Sequence, residues 1–197
     1  MTATVPGAGT GPAAGTGAAP GAGMDRMLLA WSVQEFYFDE ATVLDERRFD
    51  EWLALWNPTS ARYWAPVRRT REGREDFTAP GELGLFEDDF MTLALRVAAM
   101  KAPSAWAESP PSRTRRLITN VQAVRNEDGT VAGTSNFLVY RSRLESIEHL
   151  FVGRRTDVLE AAEPAGDGPG HAAWRIRERT VLLDHSSFRT DNISVLF

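Results

Sequence analysis

The chain has 197 residues, 43% apolar and 25% charged, with a formal net charge of −5. That suits one domain with a real core, offers no run of 18 apolar residues to cross a membrane, and opposes bulk attraction to nucleic acid or anionic lipid. The sequence holds no cysteine, which rules out disulfides, cysteine nucleophiles and thiolate-ligated metals within it.

Residues 1–24 are nearly all Gly, Ala, Pro and Thr. They have few large side chains to offset the entropy lost on ordering, so they read as a disordered extension ahead of one domain over 25–197. The stretch has no charged residue and so lacks the basic start of a secretory signal. Its GAGTG is not flanked by a strand and a helix pattern, as a nucleotide loop requires.

A helix is expected from near Met27, capped by Asp25, with Leu28, Val33 and Phe36 on one face beside Leu29 and Tyr37. A second runs over Glu46–Trp56, where Phe49, Leu53 and Trp56 recur at helical spacing, Trp52 widens the stripe and Asp45 caps. Asn57-Pro58 stops it. Ala61–Val67 reads as a short strand in which Pro66 marks an edge or an end. Arg68–Gly81 is charged and aperiodic and reads as a surface loop. Phe86–Lys101 returns to helical spacing through Phe90, Leu93 and Val97. Ala102–Pro111 is a connector pinned by Trp106.

From Ser112 the period becomes two. Arg116, Ile118, Asn120, Gln122 and Val124 point one way; Leu117, Thr119, Val121 and Ala123 point the other. Asn126–Gly129 (NEDG) is a hairpin turn. Strands follow over Val131–Arg143, Ile147–Leu159 and Trp174–Leu183, with a Gly/Pro loop at Glu160–His171. A short terminal strand over Asn192–Phe197 carries apolar side chains that either close this core or bury against a partner. Helices followed by an antiparallel meander make an α+β fold: a strongly curved sheet with helices on its concave side. Such a sheet encloses a pocket or fills it, and six Trp with ten Phe favour filling.

Candidate chemistry is sparse. His149 lies on a strand next to Glu148, but adjacent strand residues face opposite sides, and the ordinary reading is a histidine bonded in the sheet or at an interface. Asp184, His185 and Asp191 are too few ligands for a metal site. Asp39, Glu40 and Asp45 sit at the junction of the first two helices and read as a solvated cluster. Of Tyr63 and Trp64, one enters the interior; a tyrosine acid would need a pocket there. Basic residues recur on or beside strands: Arg113, Arg115 and Arg116; Arg141 and Arg143; Arg154 and Arg155; and Arg177 and Arg179. Guanidinium forks suit carboxylates and main-chain oxygens across a protein interface. No nucleic-acid motif accompanies them.

These stretches resemble the small, or beta, subunit of aromatic-ring-hydroxylating dioxygenases, the Rieske non-heme iron oxygenases of the biphenyl, benzoate and naphthalene type. The resemblance rests on LDERRFDEWLAL (Leu44–Leu55), RYWAPVRRT (Arg62–Thr70), FEDDFMTLALRV (Phe86–Val97), AWAESPPSRTRRLITNV (Ala105–Val121), SNFLVYRSR (Ser135–Arg143), HLFVGRRTDVL (His149–Leu159), WRIRERTVLLDHS and DNISVLF. It departs at Asn57–Ser60, His185 and Asp191. It implies a cone-like fold similar to nuclear transport factor 2 and scytalone dehydratase. It also implies a cytoplasmic α3β3 hexamer in which the alpha subunit holds the Rieske 2Fe-2S cluster, the mononuclear iron and the substrate pocket. A ferredoxin and/or reductase would supply electrons, and this chain would be structural, with no cofactor of its own. The competing expectation is a self-sufficient dehydratase or isomerase with a polar pocket.

Overall fold

The computed structural model describes residues 20–71, 74–78, 82, 84–102, 111–144, 147–162, 174–185 and 195–197. Helix α1 (Pro20–Asp45) begins before the expected Met27 start, so Asp25 lies within it rather than at its cap. Its buried residues Val33, Phe36, Tyr37, Glu40, Ala41 and Leu44 recur every three or four positions and form the face that meets the sheet. Arg47 breaks the chain direction with a φ of 60°, and α2 (Phe49–Ala54) follows, shorter than the expected Glu46–Trp56.

Strands β1 (Arg62–Pro66), β4 (Gly84–Asp89), β5 (Arg113–Arg125), β6 (Val131–Arg143), β7 (Ile147–Ala161) and β8 (Trp174–Leu183) build one sheet in the order β4-β1-β8-β7-β6-β5. All neighbours are antiparallel except β1 and β8, which run parallel. The sheet is therefore mixed. Register shifts occur in β1, β5 and β7, and such bulges bend a sheet. Pro66 ends β1, where a missing N–H costs no ladder bond. The NEDG turn forms as expected, with Asn126 N–H donating to Thr130 O at 2.8 Å and Gly129 at a φ of 84°.

Three expectations give way. Arg68–Gly81 is not simply a loop: β2 (Arg68–Arg71) and β3 (Arg74–Phe77) pair as a hairpin. Main-chain groups can pair without an apolar side-chain period, which is why the pattern was silent. Phe86 is not in a helix. It is a buried residue of β4, and α3 spans Phe90–Lys101, capped by the Asp89 carboxylate accepting from Thr92 N–H at 2.8 Å. Within β5, Asn120 takes a φ of 53° and the register slips between Thr119 and Gln122. The inward phase therefore changes from Arg116 and Ile118 to Val121 and Ala123, splitting the set expected to face one way.

Residues 195–197 form no strand. They enter the interior as irregular backbone, 3%, 1% and 2% exposed, and so close this chain's own core. Phe197 packs against Phe151 (5.4 Å), Phe137 (5.5 Å) and Phe86 (6.5 Å between ring centroids). The connector with Trp106, the Gly/Pro loop with His171, and Asp191 lie outside the described residues.

Candidate functional site

The chemistry of this chain is concentrated in one row of side chains across the inner face of the sheet. Cross-strand register places Gly133, Asp157, Arg179, Tyr63 and Asp88 side by side, from β6 through β7, β8 and β1 to β4. Alternation puts every one of them inward. Arg155, two residues before Asp157 on β7, shares that face and sits opposite Ser135. Helix α1 closes over the row with Tyr37 and Glu40. Gly133 makes room for it: a Cβ there would stand 2.4 Å from the Tyr37 hydroxyl.

Arg179 is the hub. Its guanidinium forks onto Asp157, with Nε–Oδ1 and Nη2–Oδ2 both at 2.8 Å. It also forks onto Glu40, with Nη2–Oε2 at 3.0 Å and Nη1 donating to Oε1. Nη1 further donates to the Phe197 carbonyl at 3.0 Å. Glu40 accepts from Trp52 Nε1 at 2.9 Å and pairs with Arg155 Nη1 at 2.9 Å. Arg155 Nε donates to Ser135 Oγ at 3.0 Å, and its guanidinium lies 4.2 Å over the Tyr37 ring. Two side-chain carboxylates and two guanidinium groups thus offset one another in the interior. Buried ions are tolerated only when paired and hydrogen-bonded in this way.

The titration behaviour follows. Burial pushes Glu40 up, but Arg155 and Arg179 beside it, with hydrogen bonds from Arg179 and Trp52, bring it down to about 2. Burial opposes the charge on Arg179, yet Asp157 and Glu40 hold its pKa well above the ordinary value. Burial pushes Tyr63 up to about 12 against the opposing Phe197 N–H, which donates to its hydroxyl at 3.1 Å. Burial, with Asp157 adding to it, likewise raises Tyr37. Neither phenol is poised to give up a proton near neutrality.

Among the described residues, aromatic rings crowd this row. Trp56 meets the Tyr63 ring edge-on at 5.7 Å, Phe86 packs at 5.6 Å, and Phe197 fills the adjoining space. Two flanking pairs continue the pattern. Arg96 forks onto Asp88 at 2.8 and 3.0 Å and covers the Phe86 ring at 4.4 Å. Arg116, whose side chain is 4% exposed, pairs with Asp45 at 2.6 Å and donates to the Leu196 carbonyl at 2.7 Å. Its pKa is lowered by burial, with Asp45 opposing.

The nine candidate arginines therefore divide. Arg141, Arg155 and Arg179 are buried, Arg116 is half-buried with its side chain inward, and Arg116, Arg155 and Arg179 carry internal ion pairs. Arg113, Arg115 and Arg154 are exposed, and Arg143 and Arg177 half-buried. Glu40 and Asp45 are interior partners, not parts of a solvated junction; Asp39 alone of the three is exposed. Tyr63 takes the inward position and Trp64 is half-buried.

His149 stacks on Phe151 at 6.1 Å, apart from the row, and Asp184 is met by Arg68 at 3.3 Å beside the exposed His185. Among the described residues no three His, Cys, Asp or Glu side chains converge as a metal site. The donor set does not fit a Rieske cluster, which needs cysteine thiolates. Sequence reasoning named Glu40 but read it as solvated, and it missed Asp157, because their partner Arg179 lies 139 and 22 residues away. The signal that could have found Asp157 is that two charged residues, Arg155 and Asp157, occupy the same alternation phase as Phe151 and Leu159.

Comparison with known proteins bears on most of the chain. The family described as ring hydroxylating beta subunit matches residues 39–190. The benzene 1,2-dioxygenase subunit beta of Pseudomonas putida is 34% identical over 169 residues, covering 84% of this chain and 87% of that one. The biphenyl 2,3-dioxygenase subunit beta of Rhodococcus jostii (strain RHA1) is 34% identical over 173 residues, covering 86% and 89%. Among solved structures, naphthalene 1,2-dioxygenase with indole bound matches with a TM-score of 0.74 at 24% identity, over 90% of this chain and 93% of that one. A protein from Novosphingobium aromaticivorans assigned as a scytalone dehydratase matches at 0.55 and 13%, over 82% and 89%. These structural likenesses establish the cone-like α+β fold shared with the dehydratases. The family match and the identities of one third over most of the chain go further: the chain belongs to the ring hydroxylating beta subunit family.

Proposed function

We propose that this chain is the non-catalytic, structural subunit of an aromatic-ring-hydroxylating dioxygenase, assembled with a Rieske alpha subunit that carries both iron centres and the substrate pocket. The observation that carries the reading is the filled interior. Where a cone-fold enzyme would hold its substrate, this chain holds the Glu40–Arg179–Asp157 lattice and the Phe197 ring. A self-sufficient dehydratase or isomerase would need an open polar cavity at Tyr63 or His149, and the aromatic packing around Tyr63 speaks against it.

In this reading the complex is an α3β3 hexamer served by a ferredoxin and/or reductase, and it works in the cytoplasm. No helix among the described residues is long and apolar enough to cross a membrane. Arg113, Arg115 and Arg154 are exposed and would meet partners, while Arg143 and Arg177 are half-buried, Arg177 beside Asp128 and Glu178. The test is co-expression with a Rieske alpha subunit encoded beside this chain, followed by size-exclusion chromatography with mass measurement. Co-elution of both chains at hexamer mass is expected. A chain that elutes alone while its alpha partner folds would overturn the proposal.

A further inference from the structure

The inner face of the sheet is spent on the core, and among the described residues no helix covers its outer face. Register defines what it presents. Leu117, Leu138 and Val152 form one row across β5, β6 and β7, and Arg115, Tyr140 and Leu150 form the next. On the other side, Thr119, Asn136 and Arg154 line up with Leu182 of β8. All point away from the buried phase of their strands. Leu117 is 50% and Leu150 55% exposed. This is an apolar centre with arginines around it, the composition of an interface core and rim.

Size and charge select the occupant. Same-side residues lie about 6.8 Å apart along a strand and strands about 4.8 Å apart, so these three rows on four strands cover on the order of 400 Å². One side of a standard protein interface buries about 800 Å². The face also continues over the β5 edge into a groove of about 440 Å³ against α1, lined by Phe38, Thr42, Arg115 and Leu117. On a chain of net charge −5, this face carries Arg113, Arg115 and Arg154, none with an ion-pair partner among the described residues. The acids around them are already engaged: Glu148 accepts from the Tyr140 hydroxyl at 2.7 Å, and of the two that line the groove beside Arg115, Asp45 pairs with Arg116 and Glu46 with Arg48. Two copies laid face to face would set arginine against arginine. A different chain bringing carboxylates around an apolar centre fits instead.

We infer that this outer sheet face, centred on Leu117 and Leu150 with Arg115 and Arg154 at its rim, docks the alpha subunit through an apolar patch edged by Asp or Glu. The inference rests on the function proposed above and adds the surface and the chemistry of its counterpart. The experiment immobilises the tagged alpha subunit and titrates the wild-type chain, Leu150→Asp, and the double variant Arg115→Glu/Arg154→Glu. Met91→Asp, on the exposed side of α3, serves as control, with melting temperatures checking that each chain is folded.

Both face variants should weaken binding roughly tenfold or more, as loss of an interface anchor does. The double variant should also flatten the salt dependence, and the control should stay within about twofold. If wild type binds and the face variants bind equally well, the docking inference is overturned while the subunit role stands. If wild type does not bind, the role itself fails, and the docking with it. If the variants keep the alpha subunit but lose self-association, the occupant is a second copy and the inference is wrong.

Discussion

Replacing Arg179 with methionine tests the interior lattice most directly. Methionine keeps much of the aliphatic volume but removes five hydrogen bonds, two to Asp157, two to Glu40 and one to the Phe197 carbonyl. Glu40 would keep Arg155 at 2.9 Å and Trp52 at 2.9 Å, whereas Asp157 would lose both of its guanidinium bonds. Removing one partner of a buried ion pair costs about 3–5 kcal/mol because the other charge stays desolvated. For a domain of this size each kcal/mol shifts Tm by about 2–4 °C, so a loss of about 10 °C is expected. The pH dependence separates this from a packing defect. Two carboxylates would share one guanidinium, a proton on the site would relieve the excess, and the deficit against wild type should narrow as pH falls from 7 toward 4. Urea titrations of both chains at several pH values measure this. A deficit below about 1 kcal/mol, or one that is constant with pH, would refute the claim that Arg179 neutralises the interior.

Three further outcomes follow from the same geometry. In the wild-type chain Glu40 is held at about 2 against an ordinary 4.5. A lowered carboxylate stabilises the fold above its unfolded value, so about 3 kcal/mol should drain away between pH 4.5 and 2; Glu40→Gln should be destabilised at pH 7 and show a shallower acid limb in denaturant titrations. Phe197→Ala should cost about 3–5 kcal/mol by emptying the space between Phe86, Phe137 and Phe151, measurable by calorimetry; a melt unchanged within error would mean that the ring is not a core residue. Gly153→Ala would place a Cβ 2.3 Å from the Leu182 carbonyl and 2.9 Å from the Phe137 ring. Because the nearer obstacle is backbone, a loss of roughly 1–3 kcal/mol is expected, whereas Gly129→Ala, with open space around it, should be limited to the strain of its positive φ.

Much of the architecture was legible because alternation and turn chemistry are local. β8 spans Trp174–Leu183 as the period predicts, and the NEDG hairpin sits where Asp-Gly demands. The errors share a cause. Phe86 falls at helical spacing from Phe90 by coincidence, while the Asp89 cap that ends β4 and starts α3 is a single residue without a capping-box partner. The bulge at Asn120 reverses the inward phase of β5, and asparagine's tolerance of positive φ hints at such a site without requiring one. The lattice was illegible for another reason. Whether Arg179 is a surface cation or a buried hub depends on Glu40, 139 residues earlier, and on parallel pairing that sets Tyr63 beside it. The arginine pattern reads as an interface, and alternation alone divides one sheet face from the other only when the buried phase of each strand is known. The family resemblance was readable throughout because it rests on whole stretches rather than on any one role.

The parallel contact between β1 and β8 has a consequence for how the molecule comes into being. Tyr63 and Arg179 are ladder neighbours, yet more than a hundred residues separate them. Until β8 is available, β1 and β4 form a detached ribbon with an open edge, and the meander from β5 to β7 ends in another. Long-range pairing of this kind makes folding slow and leaves unpaired strands exposed to association during synthesis. The two halves meet only when Arg179 lies between Asp157 and Glu40, so the step that joins the sheet also neutralises the interior. A chain interrupted before residue 174 should therefore yield no stable intermediate cone, and the assembled face on β5 to β8 becomes available to a partner only after the core has closed.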